Sequence, residues 1–277
     1  LTRENCKISD YLIPLHQFGK IGKIHSVFNR SFNIEIGGQL INLADYYDYL
    51  SSFGINLPHS LFQELLPFIQ QGNQVRFSEE ELLIYSRAGV KKIHLSPSTI
   101  VSLDLPQLTL TKAQQVTLKT RLEEQHLTNK IGLPLDNRTR HFFEKMSQKN
   151  HYWRSEEWQE LIHYLIGRGQ GLTPSGDDIL IAYLLMLTIC SDARGDALMR
   201  SLELTELATT DVSKAYIISS MKGYSNSFFY QLIFALSQTD YGKLDQLIAK
   251  LMAIGHTSGK DLCFGLLLAL QGIENEK

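Results

Sequence analysis

The sequence predicts an α+β fold: a β-rich N-terminal part, then an all-α C-terminal domain containing a pseudo-repeated S-G-x-D loop-helix unit. Three observations carry that expectation. Apolar residues alternate with a period of two over about the first hundred residues, as half-buried strands require. From about Thr111 they recur at i, i+3, i+4 and i+7, the spacing of amphipathic helices. The string S-G-x-D opens two apolar runs in the second half. A proline-containing stretch separates the two patterns and sets the expected domains at 1–108 and 109–277.

In chain order, Val27 interrupts the alternation of SVFNRSFNIEI, and Phe32, Ile34 and Ile36 resume it. Gly37-Gly38 and QLINL follow, which predicts a hairpin with a glycine turn. The aromatic stretch 44–53 fits either strand or helix, and Tyr46, Tyr47 and Tyr49 in it are expected to pack rather than to stack a ligand. Leu57-Pro58 starts a new segment. Ser78 and Glu81 have capping-box spacing, yet LLIYSRAG after them suits a strand equally. VKKIHL reads as a strand and SPSTIVSLDLP as a border. Thr111 is expected to cap the helix in TKAQQVTLKTRLEEQ, GLPLDN to break the pattern, and Ser155 to cap SEEWQELIHYLIG, where Trp158, Leu161, Ile162 and Leu165 form a stripe. Leu244, Leu247, Ile248, Leu251 and Met252 repeat that stripe. Roughly eight helices are expected after Thr111.

The bulk numbers narrow the class. The chain has 277 residues, 43% hydrophobic and 20% charged, enough for one large or two ordinary folded domains. The net charge of −2, with no basic run, leaves no electrostatic footprint for nucleic acid. Cys6, Cys190 and Cys263 are isolated and form no CxxC pair, which fits a reducing, cytoplasmic compartment. LTRENCKISD lacks the apolar core of a signal peptide, and the longest apolar stretch, 179–190, is too short to span a bilayer, so no membrane partner is expected. The chain opens at Leu1 rather than Met, as a trimmed chain would.

The chemistry concentrates in GRGQGLTPSGDDILIAYLLML, residues 167–187. Aligned without gaps, Thr173 to Leu187 matches His256 to Leu270, with Ser175, Gly176 and Asp178 facing Ser258, Gly259 and Asp261. Ala182 and Gly265 fall at the same place, where two helices could approach closely. The plain reading is a pair of capping boxes, each cap contributing about 1 kcal/mol. Three features exceed a cap. Gly167, Gly169 and Gly171 precede the first copy; Asp177 has no acidic counterpart, Lys260 standing there; and two helix ends open in similar sequence. Glycines let backbone amides approach a ligand. Candidate substrate- or anion-binding residues are therefore Gly169, Gly171, Thr173, Ser175, Gly176, Ser258, Gly259, Lys260 and Asp261, and candidate catalytic residues are Asp177, Asp178 and His256. A carboxylate about 4 Å from a phosphate repels it by about 4 kcal/mol near a protein surface. An anionic ligand here thus wants a cation: Mg²⁺ on Asp177 and Asp178, or Lys260 or Arg168 brought across. The alternative is that Asp177 holds an amide or amino group. His256 is either a proton carrier or a histidine that hydrogen-bonds near a helix start. There is no Walker A, HExxH or GxSxG motif.

GRGQGLTPSGDDILIAYLL resembles the G-x-G-x-G-L-T-P-S-G-D-D signature of the AllH family, and IGHTSGKDLCFGLLLAL resembles its second S-G-x-D block. HSVFNRSFNIEI, INLPHSL and ATTDVSKAYIISSMKGY resemble further segments of it. Arg168, Gln170 and Ala182 depart from the family's usual residues. The resemblance implies a subunit of oxamate carbamoyltransferase, acting with an FdrA-like chain and a further subunit in anaerobic allantoin (purine) breakdown. Its reaction interconverts oxalurate plus phosphate with oxamate plus carbamoyl phosphate; a related ureido acid is an alternative substrate. Two other readings stay open: a non-catalytic assembly or regulatory subunit of that complex, and a stand-alone Mg²⁺-dependent hydrolase or phosphotransferase using the aspartate pair.

Overall fold

A computed structural model describes residues 5–45, 48–148 and 153–273. It is an α+β protein in two compact units. One comprises residues 1–104 and 224–227, the other residues 105–223 and 228–277.

The first unit is built on a nine-stranded mixed sheet of described residues, in the order β8-β7-β6-β2-β3-β4-β5-β1-β9. The strands are β1 (Cys6–Ser9), β2 (Ile21–Val27), β3 (Ser31–Ile36), β4 (Gln39–Ala44), β5 (Gly54–Asn56), β6 (Gln74–Phe77), β7 (Glu81–Ser86), β8 (Gly89–His94) and β9 (Ser98–Val101). The expected hairpin is β3–β4, in register from Ser31 opposite Ala44 to Ile36 opposite Gln39. Gly37 and Gly38 turn it with φ of 57° and 76°, a conformation costly for residues with a Cβ. Phe32, Ile34 and Ile36 are buried, as the alternation requires. Asn33, from the other face, is buried too; it donates to Ser26 Oγ and accepts from Asn42 Nδ2.

One open reading is decided here and one expectation changes. Ser78 caps no helix: its hydroxyl and backbone close a turn on Glu81, and β7 follows. The proline-containing border carries β9, which pairs in parallel with β1. Leu57-Pro58 does open a new segment, α1 (His59–Leu65). Tyr46 and Tyr47 lie outside the described residues, and Tyr49 is half-buried.

The second unit is helical. After α2 (Lys112–Glu123) come α3 (Asn137–Ser147), α4 (Ser155–Leu165), α5 (Ser175–Ile189), α6 (Ala193–Glu203), α7 (Asp211–Met221), α8 (Ser227–Ser237), α9 (Leu244–Met252) and α10 (Ser258–Gly272). Nine α-helices thus follow Thr111 among the described residues, where roughly eight were expected. Thr111 caps α2 in a complete capping box with Gln114. Ser155 does not cap α4 but is its first residue; Arg154 occupies the cap position, and its backbone N–H donates to Glu157 at 3.0 Å.

Every residue of α5 except Thr188 is buried. A helix apolar on all sides belongs at the centre of a bundle, and its main neighbour is α10, buried almost as completely. The two meet where the matched small residues led one to expect. A Cβ on Gly265 would strike the Ile179 carbonyl oxygen and crowd Ala182, so glycine sets the closeness of the pair.

Candidate functional site

Loop 166–174 leads from α4 into α5, and loop 253–257 leads from α9 into α10. Gly167, Gly169 and Gly171 hold φ of 70°, 130° and 86°, which lets the first loop double back onto the start of α5. The two loops are tied down similarly. Gly176 presses on the Leu165 carbonyl at the end of α4, and Gly259 on the Leu251 carbonyl near the end of α9, leaving no room for a side chain at either. The Gly176 N–H donates to Arg168, and the Gly259 N–H to Ile254.

The serines do not form capping boxes. Pro174 and Thr257 hold the cap positions, and neither gives a side-chain hydrogen bond to its helix. Ser175 and Ser258 are the first helical residues, one position too late to turn back on their own N3 amides. Their hydroxyls reach across instead. Ser258 Oγ donates to Asp178 Oδ2 at 2.6 Å, and Thr173 Oγ1 donates to Ser258 Oγ at 3.2 Å. In the other direction, the hydroxyls of Ser175 and Thr257 lie against Asp261 and favour its charged form. Asp261 Oδ1 accepts the Gly132 N–H at 2.9 Å, and its buried Oδ2 has no hydrogen-bond partner of good geometry.

Asp177 points elsewhere. It is fully buried and accepts from the Gly167 N–H at 2.7 Å, from Ser213 Oγ at 2.6 Å and from Thr209 Oγ1. It thereby fastens the glycine loop of its own helix to the start of α7. Gly132, Thr209, Ser213 and Thr257 are members of this network that sequence reasoning did not single out. Thr209 and Ser213 lie within ATTDVSK, whose hydroxyl-rich start was the available signal; Gly132 carried none.

Burial raises the pKa of all three carboxyls, because a charged carboxylate without water is penalised. Asp178 is pushed furthest. Desolvation dominates, Ser258 offsets part of it, and the neighbouring Asp261 and Asp177 add repulsion. The Lys260 charge favours the ionised form of Asp261, less than its hydrogen bonds do, and its Nζ donates to the His256 carbonyl at 2.6 Å. His256 is exposed on loop 253–257. Among the described residues no three His, Cys, Asp or Glu converge as metal ligands, and Asp177 and Asp178 turn to different partners. The site therefore joins two helix starts through hydroxyls over buried acids, an arrangement suited to holding or moving a proton.

Residues 165–270 match the family model described as oxamate carbamoyltransferase subunit AllH, and residues 5–138 match the AllH family N-terminal domain. The chain belongs to the AllH family. No solved structure matches it. The AllH match holds both S-G-x-D strings, the glycine loop, and Thr209 and Ser213. A pocket of about 360 Å³ opens elsewhere on the helical unit, floored by Leu127, Phe143, Phe264 and Leu268, and includes none of the candidate site residues. No helix among the described residues is long and apolar enough to cross a membrane.

Proposed function

We propose that this AllH-family chain works as a subunit of an oxamate carbamoyltransferase, interconverting oxalurate plus phosphate with oxamate plus carbamoyl phosphate. We also propose that the paired starts of α5 and α10 are the part of it that meets substrate. In this reading α4–α5 and α9–α10 are two copies of one loop-helix unit. Support comes from the exchange of contacts between the S-G-x-D strings: Ser258 bonds to Asp178, while Ser175 lies against Asp261. The matched glycines, each pressed on the carbonyl of a preceding helix, point the same way.

The chemistry suits that geometry. When phosphate attacks the ureido carbon of oxalurate, the carbon–nitrogen bond breaks and the leaving oxamate nitrogen needs a proton. In the reverse direction oxamate attacks carbamoyl phosphate, phosphate leaves, and the same nitrogen gives up a proton. The line from Thr173 through Ser258 to Asp178 is a path for that proton. A carboxyl whose pKa burial has raised holds a proton more readily than an exposed one. The free amides of loop 166–174 would face the oxygen on which charge develops. His256 on loop 253–257 and Lys260 at the start of α10 are candidate auxiliaries of this chain, and an FdrA-like chain and a further subunit are its proposed partners.

One observation favours a non-catalytic role for Asp177 in particular: its carboxylate is wholly occupied in fastening loop 166–174 to α7. The test is carbamoyl transfer by the reconstituted complex. Ser258→Ala and Asp178→Asn should each lower kcat by about a hundredfold, the size of one proton-transfer contribution, with unchanged subunit assembly. Full activity in both variants would leave the chain as an assembly subunit, and activity of the isolated chain dependent on added Mg²⁺ would favour the stand-alone enzyme.

A further inference from the structure

Two guanidinium groups share one aromatic ring beside the glycine loop. Arg168 Cζ stands 4.2 Å from the centroid of Tyr164, and Arg138 Cζ stands 4.9 Å from the same centroid. Arg138 also lies over Phe142, one helical turn further along α3, with Cζ 5.9 Å from that centroid. Stacking on a ring fixes a guanidinium plane while leaving its N–H edges free.

The charge at this place does not balance. Among the described residues, Asp136 is the one carboxylate paired with either arginine, through Oδ2 to Arg168 at 3.2 Å. Its Oδ1 is already taken, accepting from the Thr139 N–H at 2.7 Å, from Thr139 Oγ1 at 2.9 Å and from Tyr164 OH at 3.3 Å. The Arg138 side chain makes no hydrogen bond or ion pair with any described residue. Next to Arg168, the N–H groups of residues 169–173 donate to no described acceptor. A Cβ on Gly171 would meet nothing, so the loop there faces open space.

We propose that Arg138 and Arg168, held on Tyr164 at the edge of loop 166–174, form a binding site for the oxyanion end of a small substrate, a carboxylate or a phosphate. A planar fork of donors matches two oxygens of either group, which a lysine in its place would not do. The Gly176 N–H bonds to the Arg168 carbonyl, so the arginine backbone is fixed to the start of α5. An anion gripped here would lie on the α5 side of the hydroxyl network. The substrate identity rests on the carbamoyltransferase reading, whereas the oxyanion site stands on the geometry alone.

The test is isothermal titration of the full chain at low salt with oxamate, inorganic phosphate and acetate. The wild type should bind oxamate or phosphate, and acetate reports what a bare carboxylate contributes. Arg138→Gln should weaken that binding at least about tenfold, and Arg138→Lys less so, since charge survives and the fork does not. Arg138 is exposed and stacked only on ring faces, so the melting temperature of the variant should match wild type. Tighter oxamate would assign a carboxylate end to the site, and tighter phosphate a phosphate end. The proposal is overturned by a wild-type chain that binds neither oxamate nor phosphate, or by Arg138→Gln and Arg168→Gln chains that bind as wild type does. Because the readout is equilibrium binding, it fails separately from the Ser258 and Asp178 activity test.

Discussion

Asp178 shows how a single buried acid makes stability depend on pH. Its folded pKa lies well above the unfolded carboxyl value of about 3.9, chiefly through desolvation. Between those two values the folded chain holds more protons than the unfolded one. Stability is therefore fully present below about pH 4 and is lost as pH rises towards the folded value. Asparagine keeps an acceptor for Ser258 and removes the titration. The melting temperature of wild type relative to Asp178→Asn should accordingly fall as pH rises above about 4, and a difference that stays constant would mean that the folded carboxyl is not raised above its unfolded value. Steric limits act at the same scale. Gly259→Ala would drive a methyl into the Leu251 carbonyl and Gly176→Ala into that of Leu165, backbone oxygens that cannot swing away. Each should cost about 3 kcal/mol in chemical denaturation. A loss below about 0.5 kcal/mol would mean that the helix starts shift freely, against the tight seating on which the proposed site depends.

At the scale of elements, legibility followed from how far the cause of each feature reaches along the chain. The β3–β4 hairpin depends on period-two residues and Gly37-Gly38 between them, and the capping box at Thr111 on a residue three positions away, so both were readable. The parallel pairing of β9 with β1 joins residues nearly a full unit apart, and no local pattern announces it. The S-G-x-D strings were read as caps because a cap is a local explanation. Their serines are instead satisfied 80 or more positions away, a partnership that only the packing of α5 on α10 creates. The position of Asp177 was legible as unusual, but not its attachment to Thr209 and Ser213. In α4, Glu157 illustrates a local interaction with a measurable signature. The Arg154 N–H and the Lys145 ammonium lower its pKa to about 2. Here the linkage runs the other way: stability is present above about pH 4.3 and is lost as pH falls towards 2. Glu157→Gln should therefore flatten the acid limb of a stability–pH curve between pH 4.5 and 2, and an unchanged limb would show the contacts to be without energetic weight.

On the scale of the whole molecule, the chain does not finish one unit before starting the other. Residues 224–227 return to the sheet-containing unit from within the helical sequence. They are bound there by several hydrogen bonds. The Ser225 N–H donates to Leu103 at 3.2 Å, the Ser227 N–H donates to Leu50 at 2.9 Å, and Ser227 Oγ accepts the Leu50 N–H at 2.8 Å. Tyr224 adds a bridge to Asp104 and an edge-on ring contact with Tyr11 at 5.1 Å. A boundary drawn from sequence near residue 108 therefore leaves the front part without groups that complete it. Buried backbone donors and acceptors deprived of partners cost about 1–3 kcal/mol each. Residues 1–104 produced alone should unfold at a lower denaturant concentration than the same residues within the full chain. A protease site engineered at Gln107 gives the sharper test. After cleavage, the two fragments should elute together in size exclusion, because the second still carries residues 224–227. Replacing those four residues with a glycine-serine linker of equal length should make the fragments separate. Separation without that replacement would show that the returning segment holds too little energy to keep the unit whole.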